Sequence, residues 1–255
     1  MAWYEGTMTK VNGALLAILD VKLPLNAKWT IYDSAAGTNC KVYRNYDAAA
    51  NVDYYVKVND NYTDYAEIEL WQGWNAVTHV GVGQSLTLIN GNTMKIYKEA
   101  GGCGLAVSDH RFVWVDFVCY NGTYIGQLSR YDTAKNMPIF LGALNPPGQN
   151  PLGFYGDGWT VGWWCLFDEG GASREIFPYS KDAYSTPKTI AGNYIVFEHP
   201  VYNSVTYLLM GALTGVAHYS AFAGPTPTNN DIVTLNGVDW VFIGHGDRWS
   251  LIRKD

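Results

Sequence analysis

Charged residues are scarce in this sequence of 255 residues. Asp, Glu, Lys and Arg together make up 16% of it, whereas soluble domains usually contain about 25%. The formal net charge is −6, and no run of basic residues occurs along the chain. A protein that binds a nucleic-acid duplex needs a stripe of Lys and Arg to neutralise phosphates. The composition therefore argues against nucleic acid as a partner.

Long hydrophobic runs are missing as well. No stretch reaches the ~18 apolar residues that a membrane-spanning helix needs. The segment 11–25 is short, contains Asp20 and Lys22, and lacks the basic start and the small-residue cleavage site of a signal peptide. We therefore expect a protein that is made in a cytosol and has no membrane partner.

The residue spacings of common metal and catalytic sites are also absent. The four cysteines form no CxxC unit, the five histidines show no HxxxH spacing, and no GxSxG nucleophile elbow occurs. We expect no metal, no cofactor and no enzymatic activity. One alternative, a glycan-cleaving enzyme, stays open. Asp168 and Glu169 follow an aromatic segment, and glycosidases use a pair of carboxylates. The same Asp-Glu-Gly-Gly sequence is also typical of an ordinary acidic turn.

Aromatic residues, by contrast, are abundant. They make up 15% of the chain, led by 19 Tyr and 10 Trp. Protein interfaces favour Tyr and Trp and contain few Lys and Glu, so this composition indicates a surface that is buried against partners. A two-sheet β protein with aromatic pairs across its strands has a similar composition. The two interpretations are compatible.

One short helix is predicted near the N-terminus. Thr9 is a suitable N-cap, Leu15, Ile18 and Leu19 fall at helical spacing, and Pro24 ends the pattern. The alternative is a buried strand followed by a turn. We expect Leu15, Ile18 and Leu19 to contact a neighbouring subunit.

After this segment the hydrophobic period changes to two, which is typical of strands. Segments 53–58 and 66–71 predict an antiparallel pair. Three Asn-Gly dipeptides, which favour the type I′ turns of hairpins, begin at Asn90, Asn121 and Asn236. The sequence therefore predicts a mainly β protein, with antiparallel sandwich or barrel-like sheets and one short N-terminal helix.

A proline-rich segment, 138–151, interrupts the strand pattern. Its Pro146-Pro147-Gly core cannot lie inside a sheet. We predict a boundary here between a first module, 1–137, with the helix and antiparallel strands, and a second β module, 138–255. The alternative is that both pack as one continuous unit. Pro146 and Pro147 are further candidates for contact with another subunit.

Two tryptophan clusters are candidates for carbohydrate stacking, because exposed indole rings bind the faces of pyranose sugars. The first contains Trp71 and Trp74, and the second contains Trp163 and Trp164. In a β protein, such residues more often belong to the core or to an interface. Sequence alone leaves both interpretations open.

Three segments resemble virion structural proteins of large tailed bacteriophages. The first is the start, with Tyr4-Glu-Gly-Thr before the helix and Lys28-Trp-Thr-Ile-Tyr after it. The second is the hairpin 109–131, and the third is the tail 231–252, with its Asn-Gly hairpin and last strand. These segments span most of the chain and are structural patterns without catalytic residues.

The resemblance implies a structural component of the tail, neck or baseplate, present in several symmetric copies. Its partners would be other virion proteins and copies of itself. It would be synthesised in the host cytoplasm and located in the virion. The alternative function is a carbohydrate-binding or receptor-binding module of a phage adhesion apparatus, with a host glycan as its partner.

Overall fold

The computed structural model describes residues 1–86, 93–118, 121–128, 139–144, 163–165, 174–178, 196–203, 209–219, 228, 230–235, 237–245 and 248–254. Within these residues the chain forms one α-helix, α1 (Ala14–Lys22), continued by a 3-10 turn (Leu23–Leu25). The strands are β1 (Ala2–Met8), β2 (Trp29–Gly37), β3 (Cys40–Asp47), β4 (Val52–Asn59), β5 (Tyr65–Asn75), β6 (Val80–Leu86), β7 (Met94–Tyr97), β8 (Gly101–Ser108), β9 (Arg111–Asp116), β10 (Asn121–Gln127), β11 (Ile139–Leu144), β12 (Trp163–Cys165), β13 (Arg174–Pro178), β14 (Val196–Asn203), β15 (Leu209–Tyr219), β16 (Ile232–Leu235), β17 (Val238–His245) and β18 (Arg248–Arg253).

The described strands form two antiparallel sheets. The large sheet has twelve strands in the order β1-β8-β9-β10-β11-β12-β13-β14-β15-β18-β17-β16. The small sheet has six strands, in the order β2-β3-β4-β5-β6 with β7 also paired to β5. This architecture confirms the predicted mainly β fold with antiparallel sheets and one short helix.

The main core lies between the small sheet, α1 and the first strands of the large sheet. Alternate residues of β4 face it, so Tyr54, Val56 and Val58 are fully buried. Trp29 joins the two sheets, since its ring centre lies 5.8 Å from that of Tyr54 and 5.4 Å from that of Phe112 on β9. Burying a large apolar side chain stabilises the fold by about 1.5–3 kcal/mol.

The large sheet also folds over on itself. Val113 and Tyr124, on β9 and β10, belong to the same buried cluster as Leu213 on β15 and Ile252 on β18. The pairing of β10 with β11 runs from Gly122–Leu144 to Gln127–Ile139. Strands on both sides of the boundary predicted at residues 137 and 138 are therefore neighbours in one sheet. The predicted contact residues Pro146 and Pro147 lie outside the described residues.

Helix α1 starts later than the sequence suggested. Its N-cap is Gly13, which has a left-handed φ of 80° and makes no side-chain capping bond. The cap comes instead from the β4–β5 loop, where Asp60 Oδ2 accepts the N–H groups of Leu15 at 2.8 Å and Leu16 at 3.2 Å. The prediction of Thr9 as the N-cap is therefore wrong, because a distant carboxylate takes that role.

The apolar face of α1 packs against the chain's own core. Leu15 and Leu19 are 0% exposed, and Ile18 is partly buried against the same cluster. Side chains already removed from water gain no further hydrophobic stabilisation from a second partner. The predicted contact with a neighbouring subunit is therefore not available to Leu15 or Leu19. The large apolar residues exposed on this helix and its flanks are Val11, Val21 and Leu25.

The Asn-Gly prediction is correct for one hairpin and wrong for another. Strands β16 and β17 pair as a hairpin as far as Leu235 and Val238, and Gly237 between them has a φ of 76°, as predicted for the Asn-Gly unit. In the middle hairpin, however, Asn121 pairs with Asp116, so the connection consists of residues 117–120. Asp116 Oδ1 accepts the N–H of Val118 at 2.7 Å, and this side-chain bond turns the backbone before the Asn-Gly unit is reached. The first Asn-Gly unit lies outside the described residues.

Candidate functional site

An aromatic row crosses the outer face of the small sheet, the face turned away from the main core. The antiparallel register places Arg44 of β3 opposite Tyr55 of β4, and Tyr55 opposite Trp71 of β5. Residues directly opposite each other project to the same side of a sheet, as does Tyr46, two positions from Arg44. Tyr32 of β2 joins the row, and its ring meets that of Tyr55 edge-on at 4.9 Å.

Trp71 and Trp74, the first predicted sugar-stacking pair, lie at one end of this row. Their rings meet edge to face at 6.2 Å, and Trp74 is only 7% exposed. Gly81 lies against the ring of Trp71 so closely that a Cβ on it would be 2.0 Å from a ring carbon. Both indole N–H groups donate to carboxylates, Trp71 to Glu69 at 2.9 Å and Trp74 to Asp33 at 2.8 Å. The pair is therefore closed, and the open platform that stacking needs is absent from it.

Asp33 anchors this closed pair. Besides the Trp74 bond, its carboxylate accepts the N–H of Ala35 at 2.9 Å and lies 2.8 Å from Nδ1 of His79. Burial alone would raise the pKa of Asp33, but the hydrogen bonds from His79, Trp74 and Ala35 outweigh it and hold the pKa below its ordinary value. Asp33 is therefore an anion at neutral pH and fixes the His79 imidazole, whose residue has a left-handed φ of 55°.

The tyrosine–arginine patch, defined as Tyr32, Arg44, Tyr46, Asp53 and Tyr55, occupies the other end of the row. The guanidinium carbon of Arg44 lies 4.4 Å from the ring centre of Tyr46, 5.6 Å from that of Tyr55 and 5.8 Å from that of Tyr32. Its Nε and Nη2 donate to the two carboxylate oxygens of Asp53 at 2.8 and 2.7 Å. Bidentate pairing and ring contacts together hold the guanidinium in one orientation.

The patch is electrically balanced and open to solvent. The hydrogen bond to Asp53 raises the pKa of Arg44 further above its already high value, so the pair carries one charge of each sign. Burial, and after it the charge of Asp53, raises the pKa of Tyr55 to about 12. Tyr46 is 48% exposed and Tyr32 is 39% exposed. The patch therefore presents two rings and a fixed polar fork with no net charge.

A second surface, the apolar tip, lies where β5 turns into β6 and is defined as Val77, Val80 and Val82. These residues are 89%, 56% and 54% exposed. The Asn75 side chain accepts the N–H groups of Val77 at 2.9 Å and Thr78 at 3.1 Å, so the turn is internally bonded. Among the described strands, β6 is at the edge of the small sheet. Exposed apolar side chains at a sheet edge favour contact with a partner.

The apolar tip has a sequence signal, which is a stretch of unusual composition and not a residue motif. No Asp, Glu, Lys or Arg occurs between Glu69 and Lys95. The tip and the tryptophan pair both fall in this charge-free interval. The tyrosine–arginine patch has no comparable signal, because its residues come from three strands and meet only through the register of the sheet.

Of the other predicted site residues, Trp163 and Trp164 lie within the described part of the chain. Trp163 and Trp164 belong to β12, where Trp163 pairs with Ile176 and Trp164 with Glu175 of β13. The candidate catalytic carboxylates of Asp168 and Glu169 lie outside the described residues. Cys40 and Cys103 are buried free thiols, and burial raises the pKa of Cys103 to about 11.

Among the described residues, no group of three or more His, Cys, Asp or Glu side chains is arranged to hold a metal ion. The same part of the chain contains no helix that is long and apolar enough to cross a membrane. The described residues do offer binding chemistry of two kinds, a polar aromatic patch on the outer face of the small sheet and an aliphatic tip at its β5–β6 edge. In comparisons with known proteins, no family model and no curated protein matches this chain.

Proposed function

We propose that this chain is a structural component of a tailed-phage virion, in its tail, neck or baseplate, and that it acts through contacts between symmetric copies and with other virion proteins. The observation that carries the proposal is the apolar tip. Its three valines are exposed on an internally bonded turn, within a segment that contains no charged residue. The resemblance of three sequence segments to tailed-phage virion proteins supports the assignment to a particle.

A second copy of the chain is the partner that best fits the tip. Full burial of a valine side chain contributes about 1.5 kcal/mol or more relative to its exposure in water. The tip has no charge for a charged partner to pair with, so its favourable complement is another aliphatic surface. In a symmetric assembly that contact recurs in every copy, and modest individual contributions add up over the particle.

The double variant Val77→Lys/Val80→Lys tests the proposal. A lysine in an apolar contact would have to be buried without a partner, which is strongly unfavourable. We expect the wild-type protein to be found stoichiometrically in purified particles by mass spectrometry, and the double variant to be missing from them. Circular dichroism should show the same β content for both.

A matched control is available on the helix. Val21 is 57% exposed, almost the same as Val80 at 56%, but it lies on α1 and not on the tip. We expect Val21→Lys to enter particles normally. Incorporation of the double variant at the wild-type level, or absence of the wild-type chain from particles, would contradict the proposal.

The alternative function, a carbohydrate-binding or receptor-binding module of a phage adhesion apparatus, rests on a different surface. Trp71 and Trp74 form a closed pair, so they do not favour it. The tyrosine–arginine patch does, because its rings are exposed beside a fixed polar fork. The two functions use different residues and are compatible in one protein.

A further inference from the structure

We propose that the tyrosine–arginine patch binds a neutral sugar residue of a glycan. The exposed rings are those of Tyr46 and Tyr32. Between and beside them lie the Arg44 and Asp53 side chains, 29% and 43% exposed. Aromatic rings pack against the C–H faces of a pyranose, while a carboxylate and a guanidinium supply acceptors and donors for its hydroxyl groups.

The charges of the patch favour a neutral ligand over an ionic one. The guanidinium of Arg44 lies on one side of the tyrosine rings, so a cationic ligand would bring a second positive charge beside it. An anionic sugar would meet the carboxylate of Asp53, which is paired in a bidentate manner and lies at the same surface. A ligand without charge avoids both conflicts and leaves the ion pair intact.

The polar fork keeps hydrogen-bonding capacity for a sugar. The bonds to Asp53 use Nε and Nη2 of Arg44, whereas a guanidinium has five N–H donors and a carboxylate has about four lone-pair sites. One hydroxyl can donate to Asp53 while its neighbour accepts from Arg44. Adjacent hydroxyl groups on a pyranose ring provide this pair of functions.

The patch is also ordered before any ligand arrives. Tyr55 is 6% exposed and holds Tyr32 through an edge-on ring contact. Arg44 is fixed by Asp53 and by the ring of Tyr46. Side chains that are already held in place lose less freedom when a ligand binds. This separates the patch from the flexible surface tyrosines that any β protein carries.

Saturation-transfer-difference NMR on the full chain tests the proposal. The probes are the methyl glycosides of glucose, galactose, mannose, N-acetylglucosamine and rhamnose, with methyl glucuronide as the anionic comparison. We expect transfer to at least one neutral glycoside and none to the glucuronide. For the tightest neutral glycoside, Tyr46→Ala should weaken binding by about tenfold or more, and Tyr46→Phe, which keeps the ring, should retain most of it.

Tyr62→Ala is the matched control. Tyr62 is 38% exposed, close to the 39% of Tyr32, but it lies in the β4–β5 loop, where its ring stacks on that of Tyr65 at 4.5 Å. Its loss should leave sugar binding unchanged. The proposal is overturned if no neutral glycoside shows transfer, if Tyr46→Ala binds like the wild type, or if Tyr62→Ala loses binding equally.

Sugar binding does not depend on assembly through the apolar tip, so the two proposals can fail separately. Val77→Lys/Val80→Lys should bind the same glycoside as the wild type. Retained sugar binding by a wild-type chain that is absent from particles would contradict the structural proposal alone. Normal particles without any sugar binding would contradict the patch proposal alone.

Discussion

Two pairs of opposite charge, Lys98 with Asp60 and Arg44 with Asp53, have similar distances and opposite surroundings. Lys98 Nζ lies 2.5 Å from Asp60 Oδ1, and both side chains are 0% exposed. Arg44 Nη2 lies 2.7 Å from Asp53 Oδ2, at the open surface. A buried pair has lost the hydration of both charges and depends on each bond it makes, whereas an exposed pair keeps water as an alternative partner.

The buried pair joins three parts of the chain. Lys98 Nζ also donates to the backbone carbonyl oxygens of Val11, at 2.8 Å, and Tyr62. The second oxygen of Asp60 accepts the N–H of Leu15 at the start of α1, where the positive end of the helix dipole also favours a negative charge. One ion pair therefore holds the helix start, the β4–β5 loop and the residue after β7 together.

The exposed pair orders aromatic rings instead of backbone. Among the residues that the structure describes, the Arg44 side chain contacts three tyrosines and Asp53 and donates no hydrogen bond to a main-chain group. Loss of the buried pair should therefore change stability, and loss of the exposed pair should change the binding surface. The environment of an ion pair, more than its geometry, therefore decides whether it controls stability or the shape of a binding surface.

The largest expected effect comes from Lys98→Met. Methionine has a similar length but leaves Asp60 buried without its counter-ion, so the free energy of unfolding should fall by about 3–5 kcal/mol. Urea unfolding followed by tryptophan fluorescence measures this. Arg44→Met, the matched substitution in the exposed pair, should lower the free energy of unfolding by less than about 1 kcal/mol.

The double variant Lys98→Met/Asp60→Asn sharpens the comparison. It removes both charges, while the amide oxygen of asparagine can still accept the helix N–H groups. We expect it to be more stable than Lys98→Met alone. Equal losses from Lys98→Met and Arg44→Met would show that burial does not separate the two pairs.

A smaller effect is expected from Gly81→Ala, which probes the closed tryptophan pair next to the patch. The added Cβ would lie 2.0 Å from the Trp71 ring, and Gly81 is not among the residues with positive φ, so the conflict is steric. Overpacking of this kind costs about 1–3 kcal/mol. Gly6→Ala on β1, where the nearest atom is Cys103 Sγ at 3.9 Å, is the control. An unchanged urea midpoint for Gly81→Ala would mean that the Trp71 ring is open.

The smallest effect concerns the titration of Tyr55 and appears only in alkali. Burial and the charge of Asp53 raise its pKa to about 12. Because the fold favours the neutral phenol, this contribution to stability is complete below about pH 10 and is lost as the pH rises through about 12. In Asp53→Asn the pKa should fall but stay above about 10, since burial remains. The absorbance of tyrosinate measures the pKa of Tyr55 when the signal of Tyr55→Phe, which lacks this phenol, is subtracted. Titration of Tyr55 at the ordinary tyrosine pKa would contradict its burial.

The strands could be predicted from the sequence because their side-chain period reports local backbone geometry. Segments 53–58 and 66–71 indeed lie within β4 and β5, which pair. The helix cap could not be predicted, because Asp60 is 45 residues from Leu15 in the chain. The Asn-Gly rule failed at Asn121 because a side-chain bond from Asp116 turned the backbone first.

Of the candidate surfaces, only the apolar tip could be predicted from the sequence. The apolar tip lies in a continuous charge-free interval, so its composition can be read from the sequence. The closed state of Trp71 and Trp74 depends on Gly81, which meets the ring across the β5–β6 hairpin. The patch depends on the register of three strands and on the irregular pairing of β2 between Ile31 and Asp33. Contacts of this kind arise only from the tertiary fold.

The central claim is that the apolar tip joins copies of the chain, and the molar mass in solution tests it most directly. Light scattering of the purified full chain should give a mass of two or more times 28.3 kDa, in a whole-number ratio, for the wild type and for Val21→Lys. The same measurement should give 28.3 kDa for Val77→Lys/Val80→Lys. A monomeric wild type, or a double variant with the mass of the wild-type oligomer, would contradict the claim.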